Sequence, residues 1–248
     1  MTQAPKETTQ AAGAATASGG KSGRKSVKKR HVSCLHQAWY QFCRLMVWLV
    51  MTPCFRLCHR KRRHIPWHGP VLVVANHQSF LDPPAIGCGV FRRMNYLARK
   101  TLFRFKPFGW LIDSVDAIPL DQEGIGFAGI KECLRRLNNG EVVLIFPEGA
   151  RSETGELQPF RTGYINLAIK TKSTIVPTAI AGAYEVFPRG KKFPSFFGRP
   201  VRVEYGKPIT PDDYASMSEA ELHALVESKV REIFERIRRK KTTSSDRK

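Results

Sequence analysis

From residue 66 onward, short apolar runs alternate with stretches of helical periodicity, and this alternation is what most restricts the folds open to the chain. The runs 71–75, 94–98, 117–120, 141–146, 174–181 and 201–205 have strand length and strand composition. Between them lie helical patterns at about 84–91, 125–138 and 163–171. Runs such as "VLVVA" are apolar at every position rather than at every second one, which marks strands covered on both faces. Strand, helix, strand in this order predicts an α/β fold: a single layered domain, residues 65–240, with a mostly parallel central sheet flanked by helices. A last amphipathic helix at 218–239 opens with a capping box, Ser218 and Glu221 in "SEAE".

The ends of the chain are of another kind. Residues 1–30 hold almost no large apolar side chain and close on a basic run, so they cannot offset chain entropy by burial and read as a disordered basic tail, as do residues 241–248. No apolar core of a secretory signal follows in this segment; its Ala/Ser/Thr-rich, acid-poor composition leaves a transit peptide as the alternative. Residues 31–64 change character, with Trp, Phe, Leu and Met closed by Arg56, Arg60, Lys61, Arg62 and Arg63. The longest uncharged run, 45–55, is about half of the ~20 apolar residues a spanning helix needs. The segment therefore reads as a membrane-interfacial helical segment preceding the domain, with its aromatics at headgroup depth and its cations on anionic lipid. An ordinary helix packed on the core is the competing reading.

Charge limits the partners. Lys and Arg number 41 against 21 Asp and Glu, a formal net charge of +20, so the partner is anionic: a membrane surface, a phosphorylated substrate or nucleic acid. The basic tails lack interleaved aromatics and no helix-turn-helix or RNA-binding signature accompanies them, which argues against nucleic acid. Six cysteines form no CxxC pair and suggest neither a disulfide framework nor a zinc knuckle. They fit a reduced, cytosol-facing setting. Cys54, Cys58, His59 and His64 make a metal site only on paper, and none is expected.

Two polar motifs follow apolar runs, where open α/β sheets hold their ligands. The first is "ANHQSFLDPP", with His77 and Asp82. Along a regular helix five residues turn through roughly 500°, leaving the two side chains about 140° apart, so they meet only if 77–82 is a loop folded back on itself. The prolines at 83 and 84 allow this by starting a helix after Asp82. A histidine held by a carboxylate on one ring nitrogen keeps the other free as a general base; a helix cap beside a hydrogen-bonded histidine explains the same residues. The second motif is "FPEGARS", where Pro147 and Gly149 make a turn, Glu148 is a carboxylate, and Arg151 either forks a phosphate or pairs with Glu148. "GIGFAG" at 124–129 matches GxGxxG in letters but follows only a short apolar run and the acidic "LDQE", and reads as a glycine loop opening a helix. There is no GxSxG elbow, HExxH or P-loop, and Ser79 lacks the turn that would expose a nucleophile.

These motifs carry a resemblance. "NHQSFLD" (76–82) resembles the HxxxxD motif and "FPEGARS" (146–152) the FPEGTRS motif of the glycerolipid acyltransferases typified by 1-acylglycerol-3-phosphate acyltransferase; "IVPTAI" (175–180) is similar to a later strand motif of that family. The resemblance covers about residues 65–210 and implies an acyltransferase domain that moves a fatty acyl group from acyl-CoA or acyl-carrier protein, the co-substrate, to the free hydroxyl of 1-acylglycerol-3-phosphate, a lysophospholipid, giving phosphatidic acid. It implies no cofactor. By the same resemblance His77 is the base, Asp82 its orienting carboxylate, and Glu148, Gly149 and Arg151 bind the acceptor. "ARKTLF" (98–103) resembles a basic segment of the family, which adds Arg99 and Lys100 as phosphate contacts. The implied setting is the cytoplasmic face of an inner membrane. Two departures stand out: Ala150 replaces a threonine, and Gln122 falls near a position where the family carries an arginine for the glycerol phosphate, so another lysolipid is the alternative acceptor.

Overall fold

The computed structural model describes residues 33–104, 106–115, 117–120, 127–197 and 199–239. The two tails, Gln122 and the first part of the "GIGFAG" loop lie outside the described residues. The chain opens with helix α1 (Cys34–Phe55), capped by Ser33, and continues into strand β1 (Cys58–Arg60) and a 3-10 turn (Arg62–His64). There follow β2 (Val71–Ala75), α2 (Asp82–Cys88), β3 (Met94–Arg99), a 3-10 turn (Lys100–Phe103), α3 (Lys106–Ser114) and β4 (Ala117–Leu120). The second half runs α4 (Phe127–Asn138), β5 (Val142–Ile145), α5 (Gly163–Thr171), β6 (Thr174–Ala181), α6 (Ala183–Val186), β7 (Arg202–Tyr205) and α7 (Glu219–Arg239).

Among the described residues the strands form one sheet of seven in the order β1-β7-β6-β2-β5-β3-β4, parallel except for the β6–β7 pair. This is the α/β layered domain that the alternation predicts. All five residues of β2 are fully buried, which is why that run shows no polar alternation. Leu72 and Val74 face one core layer with Leu137 of α4, Ile165 of α5 and Phe234 of α7. Val71, Val73 and Ala75 face the other, with Met51 and Phe55 of α1, Ala85 and Ile86 of α2 and Ala183 of α6. Buried positions 222, 226, 230, 233 and 237 of α7 keep the helical spacing, and its capping box forms: Ser218 N–H donates to Glu221 Oε2 at 2.8 Å and Glu221 N–H to Ser218 Oγ at 3.2 Å.

The stretch 31–64 is not helical throughout. Arg56 takes a left-handed conformation (φ 50°) and ends α1, after which Cys58 N–H donates to Val201 O at 2.9 Å and the basic run enters the sheet edge as β1. Three positions after a proline inside the last turns, the unpaired backbone finds β7 as a partner, and Lys61 pairs with the buried Glu204 at 2.7 Å. Arg44, the charge that interrupts the apolar run, faces the domain: its guanidinium donates to Gln41 Oε1 and Cys88 O. The outward side of α1 is then apolar, with Phe42, Leu45, Leu49 and Val50 exposed. Among the described residues no helix is long and apolar enough to cross a membrane.

Candidate active site

Strands β2 and β5 are neighbours, with Val74 level with Ile145, and the chain leaving them passes to opposite faces: α2 joins one core layer and α5 the other. The crevice opened by that divergence, at the carboxyl ends of the strands, receives both polar motifs.

Asn76 ends β2 by lending its side chain to the sheet. Its Nδ2 donates to Ile180 O at 3.0 Å and its Oδ1 accepts from Ile180 N–H at 2.9 Å, so β6 stays paired while the backbone of 76 turns away. The loop 77–82 then folds back on itself. Asp82 is fully buried, and its Oδ2 accepts three hydrogen bonds: from Gln78 N–H (2.5 Å), Ser79 N–H (2.7 Å) and His77 Nδ1 (2.8 Å). Backbone amides can only donate, so this oxygen is an acceptor and the ring nitrogen facing it carries the proton. Nε2 is left as the acceptor of the imidazole, at the part-exposed end of the ring.

Asp82 does not cap the helix. It is the first residue of α2, whose N-cap is Leu81 with no side-chain hydrogen bond, because the carboxylate reaches back to the amides of the loop instead. Pro83 and Pro84 tolerate this, lacking the N–H groups that a cap would have to satisfy. The nucleophile reading of Ser79 fails on burial: it is fully buried and its hydroxyl donates to Phe187 O at 2.7 Å.

The second motif leaves β5 as a turn in which Gly149 N–H donates to Phe146 O at 3.1 Å, with Gly149 at φ +76°. Phe146 stacks on the His77 ring, centroids 4.1 Å apart and planes within 15°. Glu148 is buried, and its Oε1 accepts from His77 N–H at 3.1 Å, while His77 O accepts from Ser152 N–H at 2.8 Å. Burial pushes the Glu148 carboxyl up to about 8, the nearby Asp82 charge adding to it against the lowering effect of the His77 N–H. Arg151 lies over the ring of Phe80, 3.5 Å from its centroid.

One cation here escaped the sequence. Arg161 N–H donates to Pro147 O at 3.0 Å, and a Cβ built on Gly149 would come within 3.0 Å of the Arg161 guanidinium, so that group lies against the turn. It is exposed and has no ion-pair partner among the described residues. The signal was an arginine just ahead of α5, a helix that must start beside the β5 turn it leaves. Arg99 ends β3, two strands from β2 across β5, and Lys100 begins the following 3-10 turn, so both leave the same edge of the sheet as the His77 loop. His59 and His64 bond to the carbonyls of Ala85 and Tyr205, and among the described residues no group of three or more metal-ligating side chains gathers.

A paired imidazole and carboxylate at a topological switch point, with Arg151 over Phe80 and Arg161 against the Gly149 turn, can accept a proton beside groups that attract negative charge. The acyltransferase family model matches residues 56–181, and the chain belongs to that family. Its relatives place it more narrowly. The 1-acyl-sn-glycerol-3-phosphate acyltransferase of Bacillus subtilis is 27% identical over 194 residues, 76% of this chain and 92% of that protein. The chloroplastic enzyme of the same name from Brassica napus, BAT2, is 31% identical over 142 residues, 56% of this chain and 41% of its own. The crystal structure of the 1-acyl-sn-glycerophosphate (LPA) acyltransferase PlsC of Thermotoga maritima superposes with a TM-score of 0.68 at 25% identity, covering 82% of this chain and 79% of that one. The protein is a PlsC-like acyltransferase.

Proposed function

We propose that the chain transfers a fatty acyl group from an acyl-CoA or acyl-carrier-protein thioester to the free hydroxyl of 1-acylglycerol-3-phosphate, at an anionic membrane surface on the cytoplasmic side. The observation that carries the reading is the hydrogen bond of His77 Nδ1 to Asp82 Oδ2, with that oxygen pinned by two further backbone amides. His77 Nε2 takes the hydroxyl proton; the oxygen attacks the thioester carbonyl; the C–S bond breaks and the leaving thiolate takes the proton back from the imidazolium. Asp82 keeps the ring in the tautomer that can accept and stabilises the charge it gains. No covalent acyl-enzyme is required, in keeping with the buried Ser79. The names of the relatives support the acceptor.

Arg151 and Arg161 hold the acceptor phosphate, Arg161 filling the role that Gln122 cannot, with Arg99 and Lys100 further along the same edge. Glu148 positions the loop of His77 from behind. The exposed apolar side of α1 sits on the bilayer in which the acceptor is dissolved. Purified His77→Ala is expected to stay folded, at some cost in melting temperature from the lost Phe146 stack and Asp82 hydrogen bond, and to lose about 10²–10⁴-fold in turnover of lysophosphatidic acid with acyl-CoA or acyl-carrier protein. Near-normal turnover would sink the reading.

A further inference from the structure

The segment between α6 and β7, "FPRGKKFPSFFGRP", carries three phenylalanines that the fold leaves in solvent: Phe193 and Phe197 are each 76% exposed and Phe196 54%. Soluble surfaces seldom gather large apolar side chains in this way without a partner. Phe197 holds φ +58°, a left-handed conformation that a bulky residue adopts only where its surroundings impose it. The surroundings do so. Phe197 N–H donates to Cys54 O at 2.8 Å, Val201 N–H to Phe55 O at 3.0 Å, and Phe196 stacks on Phe55 with centroids 5.6 Å apart. Ser195 N–H donates back to Val186 O at 2.9 Å, and Lys191 Nζ to Ser195 Oγ at 2.5 Å. The aromatic tip is thus an ordered projection stitched to the carboxyl end of α1.

We propose that residues 188–199 are a second lipid-inserting element, which with the outward face of α1 seats the mouth of the His77 site on an anionic bilayer. Charge selects this occupant. Residues 186–203 contain no Asp or Glu but hold Arg189, Lys191, Lys192, Arg199 and Arg202. Arg189 and Arg199 reach Glu153 and Glu185 of neighbouring elements at 2.9 and 3.2 Å, whereas Lys191 and Lys192 have no carboxylate partner among the described residues. Phenylalanines flanked by lysines match the headgroup boundary, where rings enter the acyl layer and ammonium groups meet phosphate. A second copy is a poor occupant, since two chains of formal charge +20 would bring like-charged loops together.

The element is also continuous with the site. Phe187, where the segment begins, accepts the Ser79 hydroxyl at its carbonyl and packs against Phe80 at 6.1 Å, and Phe80 lies under Arg151. The root of the projecting segment is therefore in contact, through Phe80, with the arginine beside the His77 loop. This inference extends the acyl-transfer reading but is measured without it.

The test uses the full chain carrying Phe193→Ser and Phe197→Asn, asparagine being tolerant of the left-handed backbone. Co-sedimentation with vesicles of phosphatidylcholine and phosphatidylglycerol is expected to fall about tenfold or more, with the melting temperature unchanged. Turnover of vesicle-borne lysophosphatidic acid falls with it, while turnover of a short-chain, monomeric lysophosphatidic acid holds. A separate Lys191→Glu, Lys192→Glu variant loses binding to the mixed vesicles and not to phosphatidylcholine alone. Vesicle binding equal to wild type in the phenylalanine variant overturns the proposal. So does a dimer-to-monomer change in gel filtration with vesicle binding intact, which assigns the rings to a second copy. Failure of His77→Ala to lose turnover removes the chemistry and leaves the vesicle result standing.

Discussion

At the residue scale the demands on Glu148 are unusual. Its Oε1 accepts from His77 N–H, its side chain is buried, and Asp82 lies close enough to oppose a second negative charge. Burial and the Asp82 charge favour the neutral acid over the pull of the His77 and Gln158 backbone N–H groups, which favour the anion. The sign for stability follows from the direction of the shift. The folded state holds the proton to about 8 against a usual 4.5, so the contribution is complete below about 4.5 and is lost as pH rises through about 8. Glu148→Gln keeps the acceptor and removes the titration. It is expected to keep turnover near wild type at neutral pH and to flatten the fall in melting temperature between those two pH values, read by thermal scans in a buffer series; a collapse of turnover in this variant would instead make the carboxylate charge part of acceptor binding. Arg161 is the other residue with an assignable cost. On the proposed function Arg161→Gln removes a charge-assisted contact to the acceptor phosphate, worth more than a neutral one, and is expected to raise KM for lysophosphatidic acid about tenfold while kcat holds. An unchanged KM would return the phosphate to Arg151 and the β3 edge.

At the scale of elements, the 77–82 loop is held by what ends the strands. Asn76 imitates two rungs of a ladder to close β2 against β6, and His77 takes its direction from that closure. Asn76→Ala leaves a buried amide and a buried carbonyl of Ile180 without partners and is expected to cost about 2 kcal/mol in denaturant melts, with turnover reduced because the loop 77–79 loses its anchor. Stability equal to wild type would mean that the backbone finds other partners. Much of this level was legible from sequence for a physical reason: strands buried on both faces read as unbroken apolar runs, so 71–75 and 174–181 coincide with β2 and β6. The dyad was legible because a double proline after Asp82 forces a helix start, and the family resemblance gave it a role. What was hidden depends on tertiary partners. β1 lies in a basic stretch with no strand pattern and exists because β7 has an open edge. The capping expected of Asp82 was lost to two loop amides nearer to hand. Arg161 has no motif around it, and only the return of the chain to Pro147 O brings it to the site.

For the whole molecule, the proposed membrane seat calls on two forces that salt separates. On that proposal the exposed apolar side chains of α1 and of the 188–199 projection meet lipid by burial, which salt does not screen. A formal charge of +20 adds an attraction to anionic surfaces that decays over a screening length of about 10 Å at 0.1 M salt and about 3 Å at 1 M. If both act, raising salt weakens binding to phosphatidylglycerol-containing vesicles down to a floor, and that floor equals the salt-insensitive binding to phosphatidylcholine vesicles. Duplex DNA offers only the electrostatic part, because neither basic tail carries aromatics to stack on bases and no recognition helix accompanies them, so retention on a DNA column should fall to nothing over the same salt range. The measurement is a pair of titrations, vesicle co-sedimentation and DNA retention against sodium chloride. Release from vesicles to the same zero as from DNA would mean that the exposed rings of the helix and the loop stay in water, and that the protein meets its anionic partner by charge alone.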